Sequence, residues 1–193
     1  YGWYCVIRRR FDEAIKEIKR AQELDPLMPM FYTFSVGIHG ASGKLNEAIE
    51  ESKKAIELDP NSGLTYFHLG VAYVRKGLLD DAIQALEKSR ELAENSGFFS
   101  WAEGGLAIIF LAKGEKQKAE RILKGLLEKR KKTYVASTMA ALIWGALGDL
   151  DKAFEFFDQA YEERDQLLLA AGFRPEETEA SEIQPAEEIE APV

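Results

Sequence analysis

The residues with chemical potential are few. Gly43-Lys44 is the pair that closes a phosphate loop, which needs G-x-x-x-x-G-K-[ST] after a strand. Here Gly37 lies one residue too far from Gly43, Leu45 takes the Ser/Thr place, and no strand pattern precedes it. The pair is read as a turn. His39 and His68 are the only histidines and Cys5 the only cysteine. That set makes no transition-metal site, disulfide or Cys–His nucleophile. No G-x-S-x-G elbow occurs. Asp80-Asp81 opens a helical segment, where acidic side chains complement the helix dipole. Catalysis is not expected, and no cofactor is implied.

Charge narrows the partners. The net charge of −8 is uneven, with −6 of it in residues 174–193. A nearly neutral body argues against nucleic acid, whose binders carry a basic domain or stripe. Two basic runs exist, Arg8-Arg9-Arg10 and Lys129-Arg130-Lys131-Lys132. Both fall where one helix ends, and there basic residues offset the negative helix terminus. The uncharged stretches 104–112 and 135–148 fall short of the ~20 residues of a membrane-spanning helix. A cytoplasmic location is expected.

A periodic frame must position all of these residues. Ala14, Ala48, Ala82, Ala119 and Ala153 recur at spacings of 34, 34, 37 and 34. Gly43, Gly77, Gly114 and Gly148 each precede one of the last four by five residues, and Arg9 holds that place in the first. Asp25-Pro26 recurs as Asp59-Pro60. This period, with a turn Gly and a terminal Pro, describes a helix–turn–helix unit. The expected helix pairs are 1–8 with 11–24, 29–42 with 45–58, 63–76 with 79–93, 98–113 with 116–130, and 134–147 with 150–162. The three extra residues of the 37 spacing predict a longer corner near Asn95-Ser96-Gly97.

The chain resembles the tetratricopeptide repeat family. The third repeat carries the resemblance best, through Tyr66, Leu69, Gly70, Tyr73, Ala82 and Leu86. The second contributes Tyr32, Ala48, Ala55 and Pro60; the fourth Leu106, Ala107, Phe110, Ala119 and Leu123; the fifth Ala140, Ala141, Trp144, Ala153, Phe157 and Ala160. The resemblance implies an all-α, right-handed α-solenoid of antiparallel helix pairs over residues 1–166. Its parts are a truncated first repeat, 1–28, and repeats 29–62, 63–99, 100–133 and 134–166. Tyr1 falls at the seventh position of a repeat, so the chain is expected to extend upstream. Residues 163–173, with Leu167, Leu168 and Leu169, read as a capping helix. Residues 174–193, rich in Glu, Pro and Ala, read as a disordered acidic tail.

The last repeat, from Lys131-Lys132-Thr133-Tyr134-Val135 to Tyr161-Glu162-Glu163-Arg164, resembles that of bacterial proteins in which such repeats follow a signalling module. Their Pro-Arg-Phe-containing end is not matched by the acidic tail here.

In this family the second, fifth, ninth and twelfth positions of each first helix line a concave groove. The resemblance therefore assigns a peptide-binding groove to Met30, Thr33, Gly37, Phe67, Val71, Trp101, Gly104, Ile108, Val135, Thr138, Leu142 and Gly145. Leu111 and Val74, at the twelfth position, are expected to be covered by packing. None of these residues is charged, so the carboxylate clamp of family members that hold acidic tails does not carry over. The mid-helix glycines each cost about 1 kcal/mol against Ala, and a close-packed occupant of the groove would explain them. The expected function is a non-catalytic interaction scaffold for an apolar peptide or helix. The alternatives are a regulatory segment of a larger signalling protein and a self-association module forming homo-oligomers.

Overall fold

The computed structural model describes residues 2–93 and 99–165. The described residues form ten helices and no strand. These are α1 (Gly2–Ile7), α2 (Phe11–Leu24), α3 (Pro29–Ser42), α4 (Leu45–Leu58), α5 (Gly63–Lys76), α6 (Leu79–Leu92), α7 (Phe99–Ala112), α8 (Lys116–Arg130), α9 (Ser137–Leu147) and α10 (Leu150–Glu162). Each odd-numbered helix packs against the even-numbered helix that follows, and each pair against the next. The product is an all-α solenoid.

The repeated turn is a backbone motif. Gly43, Gly77, Gly114 and Gly148 have φ of 84°, 77°, 77° and 88°. The residue after each donates its N–H five residues back: Lys44 to His39, Leu78 to Tyr73, Glu115 to Phe110 and Asp149 to Trp144, at 2.8–3.0 Å. This is a Schellman motif, whose left-handed position favours glycine. Arg9 makes the same turn at φ 58°, with Arg10 N–H on the Cys5 carbonyl at 2.8 Å.

Close helix approach follows from the small residues. Ala14, Ala48, Ala82, Ala119 and Ala153 are all buried. Leu86 of α6 is wedged between two helices, where a Cβ on Gly70 would stand 2.7 Å from its Cγ and one on Gly105 would stand 3.0 Å from its Cδ1. A Cβ on Gly145 would meet the Ala153 Cβ at 3.7 Å. Starts are fixed by Pro29 at the head of α3, and by Ser62 and Asp149, which accept from Thr65 N–H and Lys152 N–H. Each such cap contributes about 1 kcal/mol.

Every expected helix except α9 matches its expected bounds to within a residue. α9 departs, starting at Ser137 rather than 134. Residues 131–136 make a corner instead, held by Arg130 Nη1 on the Val135 carbonyl at 2.8 Å. Between α8 and the end of α9 lies a cavity of about 420 Å³ lined by Leu123, Leu127, Trp144 and Leu147, with Lys116, Lys124, Glu120, Glu128 and Asp149 around it. The expected capping helix is corrected at its start, because Glu163 and Arg164 form a turn and Asp165 is not helical. Its remainder, the 95–97 corner and the acidic tail lie outside the described residues.

Candidate functional site

The odd-numbered helices make one continuous layer, with α1 on α3, α3 on α5, α5 on α7 and α7 on α9. Close spacing on that side makes it the concave face. Its middle holds an apolar cavity of about 210 Å³. α5 supplies Phe67, Val71 and Val74, α7 supplies Trp101 and Ile108, and α9 supplies Met139 and Leu142. Leu86 and Ile109 form the floor, Gly104 and Gly105 thin the wall, and Arg75 stands at the rim. The larger hollows at α8–α9 and over the α7–α8 turn open between charged side chains. The exposed wall of this one is apolar.

Its geometry follows from helical spacing. Val71, Ile108 and Leu142 hold the same position in three successive repeats and all face solvent. Phe67 lies one turn earlier on α5 and meets Trp101 of α7, ring centroids 5.6 Å apart and tilted by 52°. That separation falls within the range of favourable aromatic pairs. The Arg75 guanidinium donates to the Gly40 carbonyl of α3 and is thereby fixed at the rim. Beside Phe67, burial pushes the His68 imidazole down to about 4, so it is neutral at pH 7.

The structure gathers Phe67, Val71, Trp101, Gly104, Ile108 and Leu142 around this cavity. The other six expected groove residues lie elsewhere. Met30 is exposed near the start of α3, away from the cavity. Thr33 is buried, and its hydroxyl shares a 2.7 Å hydrogen bond with that of Thr65, joining α3 to α5. Gly37 is buried within α3. Val135 precedes α9 and is 3% exposed, packed in the core between α7, α8 and α9. Thr138 is buried, and both its N–H and its hydroxyl donate to Asp165. Gly145 turns its open side toward Ala153 and α10.

Gly104 also needs a different reason. A Cβ there would collide with the Met139 Sδ and lie 3.2 Å from its Cγ. The glycine seats a neighbouring side chain of the chain itself, so its helix cost needs no bound backbone. Val74, expected to be covered, is exposed and lines the cavity. Met139 and Arg75 were missed by the repeat positions. Met139 is three residues before Leu142 on α9, and that helical spacing was the available signal.

The basic runs are engaged internally. Arg130 pairs with Glu163 and donates to Gln159 Oε1 at 3.2 Å. Lys131 pairs with Glu128 at 2.8 Å, and Lys129 Nζ stands 3.4 Å from the Phe99 ring centroid. At the other run Arg10 pairs with Glu13 and Arg8 lies over Tyr4. No group of three or more His, Cys, Asp or Glu suited to a metal occurs among the described residues. No described helix is long and apolar enough to cross a membrane.

A family model described as TPR repeat matches residues 39–77, and two described as Tetratricopeptide repeat match residues 65–96 and 105–167. The chain belongs to the tetratricopeptide repeat family. Solved structures agree with this repeat fold. The tetratricopeptide chain aligns with TTC0263, a thermophilic TPR protein of Thermus thermophilus, at TM-score 0.68 and 22% identity, over 89% of this chain and 94% of that one. It aligns with MamA at TM-score 0.58 and 24% identity, over 88% and 97% of the two chains. A match to Naa15/Naa10 bound to HypK-THB has TM-score 0.55 and 21% identity, over 84% of this chain and 24% of that one. No curated protein matches the sequence. As a tetratricopeptide repeat array, the chain is a protein–protein interaction scaffold.

Proposed function

We propose that this scaffold is non-catalytic and holds an apolar segment of a partner protein, an amphipathic helix, in the concave cavity. The observation that carries this is the apolar wall shared by three repeats, with Val71, Ile108 and Leu142 aligned and exposed. At about 210 Å³ the cavity is below the ~300–1,000 Å³ of small-molecule sites. It suits one large side chain used as an anchor, flanked by further apolar contacts along a helix face. Arg75 is the ionisable group at the cavity, so charge contributes little at the centre and binding survives high salt.

The test uses a library of displayed helical peptides selected on the intact chain, then measured against Val71→Glu and Ile108→Glu. Circular dichroism first establishes that both variants keep their helicity. The reading expects selected peptides with a large apolar residue at the anchor, binding at low and high salt, and at least about tenfold weaker affinity for each variant. Selected peptides that bind folded variants as tightly as the parent overturn it, as do peptides whose binding vanishes at high salt.

A further inference from the structure

Each even-numbered helix opens with an apolar residue and carries another four residues later, except one. The pairs are Phe11 and Ile15 in α2, Leu45 and Ile49 in α4, Leu79 and Ile83 in α6, and Leu150 and Phe154 in α10. In α8 the pair is Lys116 and Glu120, both exposed. Leu79 and Ile83 pack, together with Phe110, against the core between α6 and α7. Trp144 of α9 is the counterpart of Phe110 one repeat later. It lines the α8–α9 cavity of about 420 Å³ with Leu123, Leu127 and Leu147. The charged ends of Lys116 and Glu120 stay in water, so they do not fill that cavity as a Leu and an Ile would.

On α9 the exchange runs the other way. Lys76 of α5 donates to Asn46 of α4, and Lys113 of α7 to Asp80 of α6, both at 2.6 Å. The counterparts at α8–α9 are Gln117 and Leu147. A polar tie between repeats is replaced there by an apolar residue of the cavity wall. The charges around the cavity are not evenly matched. Glu128 pairs with Lys131 and Asp149 with Lys152, each at 2.8 Å, and Lys116 stands 3.8 Å from Glu120. Lys124 makes no ion pair with a described residue. Its electrostatic contact is with Glu128, which Lys131 already neutralises.

We propose that the α8–α9 cavity binds a small apolar monocarboxylate, its hydrocarbon body against Leu123, Leu127, Trp144 and Leu147 and its carboxylate on Lys124. The volume of about 420 Å³ falls within the ~300–1,000 Å³ of small-molecule sites, where an apolar wall holds the body and one charged group fixes its orientation. A single carboxylate answers the one cation left over. A second would meet Glu120 and Glu128, and like charges repel. The site shares no residue with the concave cavity, so it does not rest on the peptide reading of that face. Its ion pair is open to water, and salt weakens it.

Nuclear magnetic resonance of the full chain reads the two cavities separately, since Trp144 lines this one and Trp101 the concave one. The probes are 2-naphthoate and decanoate, followed by the indole N–H signals, which Trp144→Phe and Trp101→Phe assign. At least one probe is expected to shift the Trp144 signal saturably and leave that of Trp101 in place. Lys124→Gln and the primary amide of the same acid are each expected to weaken binding at least about threefold, whereas Lys124→Arg keeps it. Glu120→Ile restores the residue that α4 and α6 carry there, and is expected to fill the cavity and abolish binding with helicity intact. Failure of both probes to move Trp144 overturns the proposal, as does a shift confined to Trp101. An amide that binds as tightly as its acid overturns it, because the charge is then not read. A folded Glu120→Ile variant that binds like the parent overturns it too.

Discussion

Asp165 caps a helix that it does not belong to. Its Oδ2 accepts from the Thr138 N–H at 3.1 Å and the Thr138 hydroxyl at 2.9 Å, and the carboxylate is buried. α9 begins after Ala136, which has no side-chain acceptor for the first free N–H groups. Asp165, three residues beyond the end of α10, supplies it, so the last helix pair is stapled at the end opposite its glycine turn. Around it Ser137 donates to Glu163 Oε2 at 2.7 Å, and Glu163 pairs with Arg130.

Removing that carboxylate leaves two buried donors unpaired. Asp165→Ala is expected to lower stability by about 1–3 kcal/mol, measured by urea denaturation. Asp165→Asn keeps one acceptor oxygen and is expected to lose less. Equal losses for the two substitutions would show that charge rather than the acceptor is what α9 requires.

The Gly104–Met139 contact gives a second prediction. Gly104→Ala gains about 1 kcal/mol of helix propensity but drives a Cβ into the Met139 side chain, which is buried. The net effect is expected to be destabilising by about 1 kcal/mol. In a Met139→Ala background the same change is expected to become neutral or stabilising. A double-mutant cycle with no coupling would separate the two residues.

The helix pairs were legible because the repeat writes them twice, as alanines at the close contacts and as a glycine at each reversing turn. α9 was misplaced because its corner depends on Arg130 reaching the Val135 carbonyl, a contact with no local pattern. Of the residues expected in the groove, six line the apolar cavity. Three of the ninth positions, Val71, Ile108 and Leu142, are exposed and line the cavity, whereas Gly37 at the ninth position of the second repeat is buried. The fifth positions do not behave alike, since Thr33 and Thr138 find hydrogen-bond partners and sink, whereas Phe67 is too large to be covered. Position in a repeat gives a residue's direction, and the side chains opposite decide its exposure.

Arg9 occupies the place taken by glycine in the later repeats, at φ 58°. A left-handed conformation costs an ordinary side chain about 1 kcal/mol. Arg9→Gly is expected to stabilise the chain by about 0.5–1 kcal/mol, less the added entropy of the unfolded glycine. Gly148→Ala, at φ 88°, is expected to destabilise it by a similar amount. Denaturation midpoints moving in the same direction would contradict the shared turn geometry.

The last prediction concerns pH. Burial lowers the His68 imidazole from 6.5 to about 4. The unfolded chain therefore takes up a proton between those values that the folded chain refuses. The neutral imidazole's contribution is fully present above about pH 6.5 and is lost as pH falls toward 4, at no more than about 1.4 kcal/mol per pH unit. Carboxylates titrate in the same window; burial pushes Glu103 up, which works in the opposite direction. The difference between the parent and His68→Gln isolates the histidine. Urea denaturation from pH 7 to pH 4.5 is expected to show the parent losing more stability than the variant, because glutamine does not titrate. Parallel losses would mean that the ring is solvated enough to hold its ordinary pKa. In that event the Phe67–His68 contact beside the cavity is open to water.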